Sequence, residues 1–433
     1  MRRMIIRTLA TNSGTSVLGL MNAILLSRWL GAAGRGEIAA AFLWPGLLIY
    51  LGSMGLIIST MYFSSQPRAN VSVVLNNAIV LGLLLGALAA AFGFFAMPWL
   101  LHSQSASVVA ASRWYVLVIP ISLLAQCGLS ILQGRLQLKA VNWLNTIIPS
   151  GYLLGTIILM STGKLVLINV VILHLVLNLV VLVSTFSALV KLRFSPGLET
   201  DTRLARSMLG YGAKLHVGQL SGFANLNLDQ ALIAAWLPPA ALGFYVVAVS
   251  TAGISLMLSS AVQTVAMPSI AREENPEARR RIFERAFNRY WWLSLVFVLA
   301  LAVAFPILIP VVYGQGFRSS VAPAEVLLIG AFFMGARLLL SGGAVALGDP
   351  WVASKASLVA LPVTVLLLCL LLPTLGLMGA ALASALAYFV EFVVVVFGLR
   401  RKHEVSLASL FRLRFDGSES PMQSPLARLA ERT

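Results

Sequence analysis

Charge is what this sequence has least of. Of its 433 residues 11% are charged, and only 15 are Asp or Glu. A soluble domain carries about 25% charged residues, so a soluble enzyme is excluded. A hydrophobic share of 59% excludes a disordered chain as well. Cysteine is nearly absent. Cys127 and Cys369 both fall inside apolar runs, which leaves no disulfide framework and no metal-ligand spacing. Four histidines are scattered along the chain, and His174 and His216 read as hydrogen-bonded packing residues. There is no glycine loop ending in Lys-Ser/Thr, no Asp-x-Asp, no Gly-x-Ser-x-Gly and no His-Glu-x-x-His. No cofactor and no metal is expected, and no catalytic residue is assigned.

What the chain has is apolar length, with a mean hydropathy of +0.90. A helix needs about 20 residues to cross a hydrocarbon core of about 30 Å. The apolar runs predict twelve crossings, at 9–30, 37–63, 71–96, 108–132, 140–161, 165–190, 208–236, 241–268, 290–313, 320–347, 351–373 and 376–399. No connection between them could hold a soluble domain. The runs are continuously apolar, whereas barrel strands alternate. Arg2, Arg3 and Arg7 would suit a secretory signal, but Thr11, Asn12, Ser13 and Thr15 interrupt the apolar region and no clear cleavage site follows.

The formal charge of +16 invites a nucleic-acid reading. Its distribution argues for topology instead. Of the 31 Lys and Arg residues, Arg28, Arg35, Arg113, Lys164 and Arg318 fall on one side of the predicted membrane. Lys214 and Arg337 lie within spans, and all the others share the side of the termini. That bias predicts cytoplasmic N- and C-termini and attraction to anionic membrane lipid; no nucleic-acid partner is expected. Asn275-Pro276-Glu277 reads as a helix start, with Asn as cap and Pro in the first turn. The arginines from Arg279 to Arg289 then form a basic extension of the ninth crossing, beside the interfacial Trp291 and Trp292. Leu407, Leu410, Phe411 and Leu413, among Arg412 and Arg414, predict a tail lying on the inner surface.

The chain reads as two copies of one half. Trp29-Leu30-x-x-Ala33-x-x-Gly36-x-x-x-x-Ala41 matches Trp236-Leu237-x-x-Ala240-x-x-Gly243-x-x-x-x-Ala248 at an offset of 207. Leu132-x-Gly134 followed by Trp143 matches Leu340-x-Gly342 followed by Trp351 at 208. Six crossings per copy is an even number, so both copies insert in the same orientation, about an axis along the membrane normal. Parallel repeats of this kind build transporters with a substrate site between the halves. The expected fold is an all-α polytopic membrane protein of about twelve transmembrane helices. Its two six-helix lobes are 1–200 and 201–400, and a basic cytoplasmic tail is 401–433.

Polar residues inside the spans are the candidate site. In the seventh span Lys214, Gly218, Gly222, Asn225 and Asp229 fall on one helical stripe, with Gln219 and Ser221 beside it. A shift of 207 places Arg7, Thr11, Thr15 and Asn22 in the first span at matching depth. Both stripes are expected to line one central cavity. Close helix packing by the glycines, and snorkelling by Lys214, are the alternatives. Arg337 is the deepest charge, and its planar fork suits phosphate; a pair with a buried carboxylate is the alternative. Glu391 reads as an interhelical or interfacial pair. Asp229 is expected to line a cavity. Arg28, Arg35 and Arg113 run against the charge bias at the outer mouth, where an anionic substrate would give them a use.

The motifs reached in this way resemble a known family. Asn227-Leu228-Asp229-Gln230, followed by Leu237, Gly243 and Tyr245-x-x-Ala248, resembles the seventh and eighth helices of polysaccharide-transporter proteins. Leu30-Gly31-x-x-Gly34-x-Gly36, Tyr313-Gly314-x-x-Phe317 and Pro373-x-x-Gly376-x-x-Gly379-Ala380-Ala381 resemble further segments of the same family, in the same order. These are the oligosaccharide flippases of the multidrug/oligosaccharidyl-lipid/polysaccharide superfamily, and the similarity covers most of residues 1–400. The resemblance implies a MATE-like two-lobed fold in a bacterial plasma (inner) membrane. It implies a polyprenyl-pyrophosphate-linked oligosaccharide as substrate, moved to the outer leaflet by alternating access for O-antigen or exopolysaccharide assembly. A coupling ion, proton or sodium, and a glycan polymerase as partner go with it. Lys214 and Arg337 would be the pyrophosphate contacts, Asn225, Asn22 and Arg7 would line the cavity, and Asp229 would take the ion. The sequence carries fewer mid-membrane charges than a richly cationic cavity would. A drug/cation antiporter of the same fold, a membrane enzyme of glycan assembly and a non-transporting scaffold are the competing readings.

Overall fold

The computed structural model describes residues 2–403, apart from 195, 198, 348 and 350, together with 410–412. Fourteen helices follow one another among these residues. They are α1 (Arg2–Gly52), α2 (Leu56–Ser65), α3 (Val71–Leu100), α4 (Ala106–Tyr115), α5 (Val118–Gly134), α6 (Leu138–Ser161) and α7 (Leu167–Lys191), then α8 (Thr202–Trp236), α9 (Pro239–Ala252), α10 (Leu256–Arg272), α11 (Pro276–Tyr313), α12 (Val321–Ala346), α13 (Trp351–Leu375) and α14 (Leu377–His403).

These pieces compose the twelve predicted crossings. The stretch Thr11–Gly52 has 42 residues, which at 1.5 Å per residue is about twice the thickness of a hydrocarbon core. It cannot cross once. Gly31, at φ 66° and ψ −172°, breaks it into two crossings, in a conformation open only to glycine. The second crossing continues into α2, α4 and α5 together form the fourth, and α9 runs through a short 3-10 turn into α10 to form the eighth. Ten stretches among the described residues are long and apolar enough to span a membrane. The count falls short of twelve because Thr11–Gly52 enters once and α8 does not enter at all. The polar side chains of α8, from Lys214 to Gln230, lower its hydropathy. Large apolar side chains cover the outside of the bundle: Phe95, Trp99 and Val303 are 77%, 78% and 79% exposed. The chain is a multi-pass membrane protein.

Helices α1–α7 pack among themselves, and α8–α14 do the same. The pairings repeat. The first crossing lies on α6, and its counterpart α8 lies on α13. The halves meet along α1 and α9 on the face opposite the basic loops, and along α2 and α8 nearer the basic face. At the first seam the repeat shows itself in atoms. A methyl added to Gly36 would overlap the carbonyl of Pro239, and one added to Gly243 would overlap the carbonyl of Ala32. Both relations carry the 207 offset, so the contact is its own image under a two-fold axis. The largest buried cluster crosses this seam and joins Ala40, Ala41 and Leu48 to Ile233, Tyr245 and Phe305.

The linker between the halves is strapped to α3. Asn76 accepts from Gly197 N (2.8 Å) and donates to Glu199 O (2.7 Å); Asn77 accepts from Asp201 N (3.2 Å) and donates to Asp201 O (2.9 Å). Asp201 then caps α8. Asn275 caps α11 as its sequence predicts, accepting from Glu277 N (2.9 Å) and Ala278 N (3.3 Å). The tail departs from expectation. Leu410 is buried, Phe411 stacks edge-on to Trp291 at 4.8 Å, and Asn288 Nδ2 donates to Leu410 O at 2.9 Å. This segment docks on α11 and α14 because its apolar pair finds an aromatic cluster there. Leu407, Leu413, Arg414 and the remainder of the tail lie outside the described residues.

Candidate functional site: two polar centres related by the repeat

Of the stripe predicted on α8, Gly222, Asn225 and Asp229 face α13 and α14. Asn225 Nδ2 donates to Glu391 Oε1 of α14 (2.9 Å) and to Ser357 O of α13 (3.2 Å). Thr364 Oγ1 lies 3.1 Å from Asn225 Oδ1 and 2.9 Å from Ala360 O, and its single proton serves one of them at a time. One turn on, Asp229 Oδ2 accepts from Tyr245 OH (2.6 Å) and Ser384 Oγ (2.8 Å), and Oδ1 accepts from the amide of Gln230 (2.7 Å). Asn225 and Asp229 are each 2% exposed. The expectation that both line an open central cavity is thereby corrected. A polar group leaving water needs partners, and here the neighbouring helices of the same half supply them.

Arg337 joins this centre as one half of an ion pair. Its Nε lies 2.8 Å from Glu391 Oε2, and both side chains are largely buried. With Glu391 neutralising Arg337, the carboxyl of Asp229 is the acid of this centre that enters no ion pair among the described residues. The C-terminal centre thus carries an excess of negative charge when its acids are ionised.

The N-terminal half holds the counterpart. Asn22 is buried on the first crossing, which packs on α6, and Asn142 of α6 donates to Thr8 Oγ1 at 3.0 Å. Beside them Tyr115 OH lies 2.6 Å from His174 Nδ1, Asn178 Nδ2 lies 3.1 Å from the same nitrogen, and Ser122 donates to Asn178 Oδ1 at 2.8 Å. Phe42 covers this group, 4.6 Å from the Tyr115 ring and 4.9 Å from His174. This centre contains no carboxylate. Its charge is Arg35, next to Gly36 of the seam and within electrostatic range of Tyr152 and of Tyr313 of α11. Arg35 enters no ion pair among the described residues. The first centre therefore carries a cation outside any ion pair, and the second an acid beside an ion pair.

The remaining candidates are spread apart. Lys214 is exposed on α8, close to the seam where Gly212 meets Gly55 and Tyr211 stacks on Tyr62 at 4.3 Å. Arg28 caps the end of α11, donating from Nε to Val312 O (2.7 Å) and from a terminal nitrogen to Val311 O. The guanidinium of Arg113 lies 4.1 Å from the centre of the Phe94 ring. Arg7 lies in α1, and its side chain is outside the described residues. Sequence reasoning missed Tyr152, Tyr115, Ser384, Thr364 and Ser357. Only a three-dimensional neighbour marks them, whereas Tyr245 belongs to the Tyr245-x-x-Ala248 motif and Glu391 reads from sequence as a pairing residue.

Two parallel halves, each with a buried polar centre, frame the candidate site. Residues 2–274 match the model of the family described as "Polysaccharide biosynthesis protein", and the chain belongs to that family. A relative, the "Probable low-salt glycan biosynthesis flippase Agl15" of Haloferax volcanii, is 24% identical over 303 residues, which is 68% of this chain and 60% of the relative. The chain therefore spans about three-fifths of the length of that relative. Among solved structures, the "Lipid II flippase MurJ, inward closed conformation" superposes with a TM-score of 0.75 at 15% identity, covering 94% of this chain and 91% of the other. An "Inward-facing conformation of a multidrug resistance MATE family transporter of the MOP superfamily" does so at 0.72 and 14%, covering 93% and 99%. The fold is that of this superfamily, as the resemblance in sequence implies.

Proposed function

We propose that this protein is a flippase for a polyprenyl-pyrophosphate-linked oligosaccharide. It carries the lipid from the cytoplasmic to the outer leaflet of a bacterial plasma membrane by alternating access, for O-antigen or exopolysaccharide assembly. The basic face, with both termini, is cytoplasmic. The observation that carries the reading is Arg35: a cation held between the halves, beside tyrosines and without a carboxylate partner. A site built for a cationic drug would not keep such a charge, whereas a pyrophosphate supplies the missing counter-charge. A relative described as a glycan biosynthesis flippase and a structural neighbour described as a lipid II flippase support the same substrate class.

In this mechanism the pyrophosphate enters from the cytoplasmic leaflet past Lys214 and Arg7 and moves to Arg35 by way of Asn22, with Arg113 toward the outer mouth. Arg337 acts through Glu391 to hold Asn225 and the acidic centre in shape, rather than on the substrate. Asp229 takes a coupling proton or sodium ion, since it is a buried acid that enters no ion pair. The sugars occupy the space between the lobes, the prenyl chain stays in lipid, and a glycan polymerase on the outer side consumes the product. Asp229 also keeps a second reading in play, a cation-coupled drug antiporter of the same fold.

The test is a strain lacking the chain. Complete lipid-linked units should accumulate in the inner leaflet while surface glycan is lost, and the Arg35→Ala gene should fail to restore it. A normal leaflet distribution with altered sensitivity to cationic drugs would instead establish the antiporter.

A further inference from the structure

The last four carbonyls of a helix have no partner within it. At the face opposite the basic loops, two helix ends solve this problem with side chains from the other half of the chain. Arg28, in the first half, donates to Val311 O and Val312 O at the end of α11. Gln104, also in the first half, donates through Nε2 to Ala234 O (2.7 Å) and Leu237 O (3.1 Å) at the end of α8, and Ser103 Oγ donates to Ala235 O (2.5 Å).

These two sets of contacts are images of each other. Adding 207 to 28 gives 235, and adding it to 104 gives 311. In one set the end of the first crossing meets the end of the ninth; in the other the end of the seventh meets the end of the third. The position that donates in one set accepts in the other. Between them lies the glycine seam of Gly36 and Gly243, so tightly closed that neither residue has room for a methyl group. The bonds all run from side chain to backbone and across the halves. Separating the halves at this face must break every one of them. It costs no helical hydrogen bond, because the carbonyls set free lie beyond each helix's own ladder and return to water.

We propose that Arg28, Ser103 and Gln104 form the gate that holds this face shut, and that their trans-lobe helix caps set the population open to the outer side. The inference rests on the alternating-access reading above for its function, but not for its measurement. The gate is unequal by construction. A guanidinium closes one half with charge-assisted bonds, and neutral groups close the other, so the Arg28 half is the stronger.

The experiment measures the separation of the halves without any substrate. Spin labels are placed on Thr162→Cys and Thr374→Cys, at the exposed ends of α6 and α13 on this face, in full-length protein carrying Cys127→Ala and Cys369→Ala. Pulsed electron resonance in lipid nanodiscs then gives the distance distribution. Arg28→Ala should add a longer distance, with the open fraction raised about tenfold. Gln104→Ala should give a smaller rise, the two together more than either, and Arg28→Lys should reverse part of the effect. Arg318→Ala, an exposed charge on the same face, should change nothing. Unchanged distributions in folded Arg28→Ala and Gln104→Ala proteins would overturn the proposal, as would a rise in the Arg318→Ala control equal to theirs. If either variant fails to fold, a Gln104→Glu protein, which sets a carboxylate against the α8 carbonyls, must show the opening or the proposal fails. A protein that opens as described yet moves no glycolipid would refute the flippase reading and leave the gate standing.

Discussion

Arg337 and Glu391 lie 54 residues apart and meet as a buried ion pair of 2.8 Å between α12 and α14, with Asn225 of α8 bonded to the second carboxylate oxygen. The deepest basic residue in the sequence is therefore neutralised within its own half. Losing one partner of such a pair leaves a bare charge in a site of low dielectric, at about 3–5 kcal/mol. Arg337→Met should lower thermal stability in detergent by that order. Adding Glu391→Gln should recover most of the loss, because no charge then stays buried and Asn225 keeps its acceptor. If the double variant is as unstable as the single one, the pair is not what Arg337 contributes.

Arg35 has no such partner, and its removal should behave differently. Arg35→Ala should leave the unfolding temperature nearly unchanged while weakening binding of a polyprenyl pyrophosphate by about ten- to a hundredfold, the worth of a charge-assisted contact. Arg35→Lys should keep part of the affinity as a point charge without the fork. Titration of purified protein with a fluorescent polyprenyl pyrophosphate checks both. Equal affinity in all three proteins would remove Arg35 from the site.

Asp229 accepts two hydroxyl donors and a backbone amide. An amide at this position retains an acceptor oxygen, so Asp229→Asn should fold. It should nevertheless lose the dependence of transport on an imposed proton or sodium gradient. Transport that still follows the gradient in Asp229→Asn vesicles would exclude this residue as the coupling group.

Gly31 is required by conformation rather than by space, since nothing lies within 4 Å of an added methyl group and φ is +66°. Gly31→Ala should cost about 1–3 kcal/mol and shift the angle between the first two crossings. Thermal unfolding of the variant measures the cost. A stability equal to that of the parent would mean the bend can move to a neighbouring residue.

Much of this architecture was legible in the residues. The twelve crossings follow from apolar length, and the repeat follows from two matches that the contacts of Gly36 with Pro239 and of Gly243 with Ala32 reproduce in space. The stripe from Lys214 to Asp229 was legible as one face of a helix, but its direction was not. Spacing says which residues share a face and nothing about which neighbour that face meets. Arg337 looked like the free cation because its depth is visible in sequence, whereas its pairing with Glu391 is not. Arg35 was legible as an outer-mouth charge that an anionic substrate could use, whereas its place at the seam between the halves is a property of three dimensions.

The central claim is that an anionic lipid headgroup is carried between these halves by way of Arg35. The most direct measurement is leaflet-resolved transport in proteoliposomes holding purified protein and a synthetic polyprenyl-pyrophosphate oligosaccharide, read by the access of an impermeant sugar-modifying enzyme. The account predicts that the parent protein equilibrates the glycolipid between leaflets, and that Arg35→Ala slows this about tenfold or more. Glycolipid that stays in its original leaflet with the folded parent protein and an imposed ion gradient, or that moves equally fast with Arg35→Ala, would contradict it.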